Sequence, residues 1–188
     1  GDSVAAMIER WLGQFERALS NADGPGAQAL FHPECHWRDV LALSWNIQTV
    51  TGAARIEAAL QLHQGQTRAH HFRIDHARTP PRHVTRAGTD AVEAIFAFET
   101  ATGTGEGVLR LIPDNNDGDK FKAWTLLTAL AELRDFEDRI GKFRPSGEAY
   151  SRDFHGPNWR DLRTSAAAYT ARDPAVLVVG GGHAGLSI

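Results

Sequence analysis

The chain has 188 residues, of which 42% are hydrophobic and 23% charged, with a formal net charge of −3 and a pI near 6.3. That size and composition allow a full hydrophobic core in one domain with an appendage, and the slight acidity argues against a general nucleic-acid or membrane-surface binder. The one cysteine, Cys35, excludes an internal disulfide. No run approaches a membrane span, and Gly1-Asp2-Ser3 lacks the basic and apolar parts of a signal sequence, so a cytoplasmic protein is expected.

Ser3 is a suitable N-cap, and Val4, Met7, Ile8, Trp11, Phe15, Ala18 and Leu19 recur at steps of three and four, which predicts a first helix ending near Asn21. Pro25 then opens a short second helix over about Gly26 to Phe31, closed by Pro33. From His36 the period changes to two: Trp37, Asp39 and Leu41 share one side of a predicted strand and His36, Arg38 and Val40 the other. Ile47 to Thr51 reads as a further extended piece. Gly52 precedes a third helix with Ile56, Ala59, Leu60 and His63 on its inner side, and Gly65 is expected to end it.

The next half reads as strands, Ala69 to Ala77, Ala91 to Thr100, Glu106 to Ile112 and Lys120 to Ala131, separated by Pro- and Gly-rich turns and followed by a short helical end over Glu132 to Ile140. Closely spaced turns favour antiparallel hairpins, and helices followed by a meandering sheet give an α+β class. From Gly141 the periodicity is lost, and Arg152, Arg160, Arg163 and Arg172 lie among aromatics without a regular step. The division expected is a domain over 1–141, a linker over 142–173 and the start of a further domain over 174–188.

That last piece carries Val176-Leu177-Val178-Val179 and then Gly180, Gly182 and Gly185 in a Gly-x-Gly-x-x-Gly turn, the pattern of a buried strand running into a phosphate-binding turn. A dinucleotide site needs a whole βαβ unit. The expectation is therefore an incomplete site that holds no cofactor here, in a chain cut off as a nucleotide-binding domain begins.

Helix one, then Leu30 to Asp39, then Thr51-Gly52-Ala53-Ala54-Arg55-Ile56 resembles the NTF2-like superfamily, which includes SnoaL-type cyclases, ketosteroid isomerases and scytalone dehydratases. The resemblance covers residues 3 to about 140. It implies a cone in which a bent antiparallel sheet wraps around N-terminal helices and encloses an apolar pocket. The tail, with Trp124 to Glu137, Gly141-Lys142-Phe143-Arg144-Pro145, Trp159 to Arg163 and Asp173-Pro174 before the Gly-rich strand, is similar to flavin-dependent monooxygenases that carry an NTF2-like extension. That likeness implies FAD and NAD(P)H as cofactors of a larger parent.

Within the cone, the ketosteroid isomerase likeness puts Asp39 at the position of a general base, and the helix-one stripe and the alternation of the first strand put Phe15, Trp37 and Leu41 beside it as pocket lining. Apolar surroundings would raise a carboxylate pKa toward neutrality. The same likeness puts Phe15 and about Thr104 where oxyanion donors would stand, so a structural Asp39, paired with an Arg or a backbone N–H, is favoured over a catalytic one. His71 matches a dehydratase histidine. His71, Arg73 and Asp75 share one side of their strand, His70, Phe72, Ile74 and His76 the other, and Glu99 is its nearest partner in the pattern. A surface role for His71 is again favoured.

No metal is expected, because His70 and His71 point apart and Pro33 separates His32 from His36. Phe96, Phe98, Leu109, Leu111, Trp124 and Leu126 exceed what one sheet face needs, which predicts a homodimer. Three functions follow: an accessory module of a flavoenzyme, an isomerase or dehydratase using Asp39 and His71 on a small apolar ligand, and a dimerisation module.

Overall fold

Ser3 caps the first helix as its sequence predicts, accepting from Ala6 N at 3.2 Å, and α1 runs Val4–Ser20 with Ile8, Trp11, Leu12, Phe15 and Leu19 buried. The computed structural model describes residues 3–114, 117–137, 156–170, 173 and 177–183. The chain divides into two compact units, Gly1–Asp138 and Arg139–Ile188.

In the first unit Asp23 caps α2, Gly24–Ala29, which places Pro25 in the first turn and starts the helix earlier than expected. Pro33 does not close it. Pro33 lies within β1, Phe31–Val40, where the register against the neighbouring strand shifts between Phe31 and His36 and accommodates a residue with no N–H to give. β2, Ile47–Thr51, folds back antiparallel on β1. α3, Ala53–Thr67, runs through Gly65 and ends instead at Arg68, whose φ of 48° turns the chain in the left-handed region.

Five strands follow: β3 His70–Ile74, β4 Arg82–Arg86, β5 Thr89–Glu99, β6 Gly103–Asp114 and β7 Asp117–Leu133. The sheet has the order β2-β1-β7-β6-β5-β3, with β4 pairing the other half of β5's edge. It is mixed, which corrects the antiparallel expectation: β1 lies parallel to β7, the last strand, and local turn signals carry no trace of so distant a pairing. The helical end expected over Glu132 to Ile140 is also corrected. β7 continues to Leu133, because Glu132 and Leu133 still pair with Thr104 and Gly103, and 138–140 lie outside the described residues. The fold is α+β, with helices first and then a curved, open mixed sheet, the order of elements that the resemblance of the sequence implies.

The inner side of the sheet carries Phe96, Phe98, Leu109, Leu111 and Leu126, all buried against the helices. They share one face, not two. The opposite side presents Ile95, Ala97, Val108, Leu127 and Ala129, each half-buried.

In the second unit α4, Trp159–Ala167, is opened by an N-terminal capping box between Asn158 and Asp161, and Arg163 lies over the Trp159 ring at 5.3 Å. This helix stands where an irregular linker was expected. Leu177, Val178 and Val179 form no strand and are exposed, so the expected buried strand is not present among the described residues.

Candidate functional site

Asp39 faces the inner side of β1 as expected, fully buried beside Cys35 and Trp37. Both of its oxygens are occupied by donors of the same chain. Oδ1 accepts from Thr128 Oγ1 at 2.6 Å, its register partner across the parallel β1–β7 pair. Oδ2 accepts from Ser44 N at 2.8 Å and Ser44 Oγ at 2.6 Å, and Leu43 N lies 3.2 Å from both oxygens. Thr128 Oγ1 in turn accepts the Trp37 indole N–H at 2.9 Å. Polar groups removed from water are satisfied here by one another, as burial requires.

The same carboxylate shapes the loop over 41–46. Leu41 N donates to Asn46 O at 3.1 Å, and Leu41 and Trp45 sit at φ 63° and 56°. That region costs a residue with a Cβ about 1 to 2 kcal/mol. The hydrogen bonds of Asp39 to the backbone of Leu43 and Ser44 offset it. At Leu41 the strand alternation stops: Leu43 turns inward at 2% exposure and Leu41 outward at 38%. Leu41 is therefore not a lining residue, and Leu43 takes its place inside.

Phe15 and Trp37 are inside, yet as packing. The Phe15 ring stacks on Trp11 at 4.9 Å and meets Phe31 and Phe72 edge-on at 6.1 and 5.3 Å, while Phe72 stacks on Phe98 at 5.1 Å. Such ring pairs contribute roughly 0.5 to 1.5 kcal/mol each beyond the area they bury. Across the sheet Phe98 opposes Gly105 and Phe96 opposes Gly107, and a Cβ on either glycine would overlap the facing ring. The rings thus occupy the volume in which side chains of β6 would otherwise stand. Thr104, matched by likeness to an oxyanion donor, is exposed on the other side. A surface cleft between α1 and α2, lined by Gln14, Arg17, Asn21 and Asp23 among others, touches none of Asp39, Trp37 or Phe15.

His71 does not join Asp39. Phe72 and Ile74 take the inner side of β3, and His71, at φ 58° beside a register shift, projects outward with its side chain 60% exposed. Its Nδ1 lies 3.0 Å from Glu99 Oε1, the partner its strand pattern indicated, and Arg73 Nη1 lies 3.5 Å from the same oxygen. β7, β6 and β5 separate its strand from β1. Ser44 and Thr128 are the site residues that sequence reasoning missed; a Ser five residues after a strand Asp is the only local hint of either.

Gly180 has φ 112°, a conformation that favours glycine, but a Cβ at Gly180, Gly181 or Gly182 would meet open space. Gly185 lies outside the described residues. Among the described residues no group of three or more His, Cys, Asp or Glu converges as a metal site, and no helix is long and apolar enough to cross a membrane.

No family model and no curated protein matches the chain. Among solved structures it is similar to an NTF2-like superfamily protein from Salmonella enterica serovar Typhimurium, at 15% identity and a TM-score of 0.49 over 69% of this chain and 92% of that one. It is similar also to an NTF2-like protein with a cystatin-like fold from Novosphingobium aromaticivorans, at 13% identity and a TM-score of 0.45, over 69% of this chain and 80% of that one. ActVI-ORFA from Streptomyces coelicolor aligns at 13% identity and a TM-score of 0.47 over 66% of this chain and 95% of its own. At such identities no activity is carried from them to this chain.

Proposed function

We propose that the Gly1–Asp138 unit is a non-catalytic accessory module that pairs with a second copy of itself through the outer face of its sheet. The observation that carries this reading is the filled interior: Asp39 has its oxygens taken by Ser44, Leu43 and Thr128, and aromatic rings occupy the space over β6. A general base needs a free lone pair within reach of a substrate proton. The half-buried Ile95, Val108 and Leu127 on the opposite side support assembly there. A flavin- and NAD(P)H-dependent monooxygenase as the parent draws on the sequence likeness of the tail alone.

The second reading, an isomerase or dehydratase, draws on the inward placement of Asp39 on the first strand. Solvent deuterium exchange at the α-carbon of a small cyclic ketone, followed by NMR, separates the two. The accessory reading expects the buffer rate with the wild-type chain and with Asp39→Asn alike. Faster exchange with wild type, lost in Asp39→Asn, would make the cone an enzyme.

A further inference from the structure

On the outer face of the sheet Glu93 is surrounded by three guanidinium groups. The pairing aligns Arg82, Glu93 and Arg110 directly across β4, β5 and β6, and Arg86 reaches the same carboxylate from the far end of β4. Arg110 Nε lies 2.8 Å from Oε2; Arg86 donates through Nε at 3.2 Å and Nη2 at 3.1 Å; Arg82 Nη2 lies 3.3 Å from Oε1. The Glu93 side chain is 10% exposed, whereas those of Arg82, Arg86 and Arg110 are 52%, 44% and 30% exposed. Four donors are spent on Glu93, and the rest of each five-donor fork remains for another acceptor.

The charge of one carboxylate is balanced by a single guanidinium. Three leave a local excess of two positive charges, and the neighbouring Lys122 is already matched by Asp114 at 2.9 Å. Nor does packing explain the strand that carries two of them. In β4, Arg82, His83, Thr85 and Arg86 are exposed and Val84 is only half-buried. Burial pushes the Glu93 carboxyl up, but the hydrogen bonds from Arg86, Arg110 and Arg82 and the charge of Arg110 outweigh it and hold the pKa at about 2. The anchoring charge therefore persists at any physiological pH.

We propose that Arg82, Arg86 and Arg110, gathered and oriented by Glu93, form a binding site for a phosphate monoester. The ligand class follows from charge: a phosphate monoester carries roughly −1.5 to −2 near pH 7 and balances the excess, while a carboxylate balances half of it. The cost of bringing like charges together is met by Glu93 before the ligand arrives, so the site is preorganised.

The test uses the whole chain at low salt with phenyl phosphate and benzoate, two ligands with the same ring and different charge, read from the arginine Nε–H resonances by NMR. Phenyl phosphate is expected to shift the Arg86 and Arg110 signals saturably, to weaken as salt is added, and to bind at least about tenfold more tightly than benzoate. The double variant Arg82→Gln/Arg86→Gln, in which Arg110 still pairs Glu93 and far-UV circular dichroism checks the fold, is expected to lose at least about tenfold in affinity. The wild-type comparison decides even if that variant does not fold. Absence of saturable shifts, equal binding of benzoate, or undiminished binding by the folded double variant would overturn the proposal.

Discussion

Asp39→Asn is the substitution that separates a structural carboxylate from a catalytic one. In the native arrangement Leu43 N, Ser44 N, Ser44 Oγ and Thr128 Oγ1 all donate to Asp39. The amide keeps one oxygen and turns an NH2 toward one set of these donors. If the oxygen stays with Ser44, the Thr128 hydroxyl, which also accepts from Trp37 Nε1, loses its acceptor in a fully buried position. Losing a hydrogen bond to a charged group and leaving its donor unpaired costs about 2 to 4 kcal/mol. For a unit of this size that lowers Tm by roughly 10 °C. Urea unfolding of wild type, Asp39→Asn, Thr128→Val and the double variant would give both the loss and the coupling between the two residues. Because they share one bond, the double variant should lose less than the sum of the singles. A loss under about 0.5 kcal/mol would refute the network. A gain in stability would mark Asp39 as a strained functional group, since active-site residues are held at a cost to stability.

Gly107→Ala should lose about 1 to 3 kcal/mol in the same assay, because its Cβ would overlap the Phe96 ring and the Leu127 carbonyl; an unchanged midpoint would show that the rings do not lie over β6. Phe15→Ala should cost about 3 to 5 kcal/mol by opening a cavity among Trp11, Phe31 and Phe72, and tighter uptake of a small apolar dye by that variant alone would show the space to be filled in the native chain. Glu93 titrates near 2 when folded against about 4.3 when unfolded, so its stabilisation is complete above the unfolded value and is lost as pH falls from there toward 2. Over that window wild type should lose about 3 kcal/mol more than Glu93→Gln, and parallel pH profiles would contradict the pairing.

Much of this was legible in the chain, and what was not has physical reasons. The stripe from Ile8 to Leu19 behind Ser3 specifies α1 because a helical period and a cap are local signals. The parallel contact of β1 with β7 is not local, so the antiparallel expectation failed at that one pair. β4 was invisible because Arg-His-Val-Thr-Arg buries almost nothing and follows two prolines. With it went the arginines that meet Glu93. Asp39 was placed on the correct side by alternation, and Leu41 was misplaced by the same rule, since a left-handed residue ends the alternation without any glycine to announce it. The dimer expectation drew on Phe96, Phe98, Leu109, Leu111, Trp124 and Leu126, which all lie in the core except the half-buried Trp124; the surface that motivates assembly is the weaker stripe of Ile95, Val108 and Leu127.

Assembly through that stripe is tested most directly by the molar mass of the chain in solution, measured by light scattering for wild type and for Leu127→Asp. Leu127 alternates with the buried Leu126 and Thr128 and faces outward between Val108 and Arg38, so a carboxylate there disturbs the outer face and spares the core. Wild type should weigh twice the chain mass of 20.6 kDa, and the folded variant 20.6 kDa. A wild-type mass of 20.6 kDa at the highest soluble concentration, or a Leu127→Asp variant that still weighs twice that, would contradict assembly through the outer face.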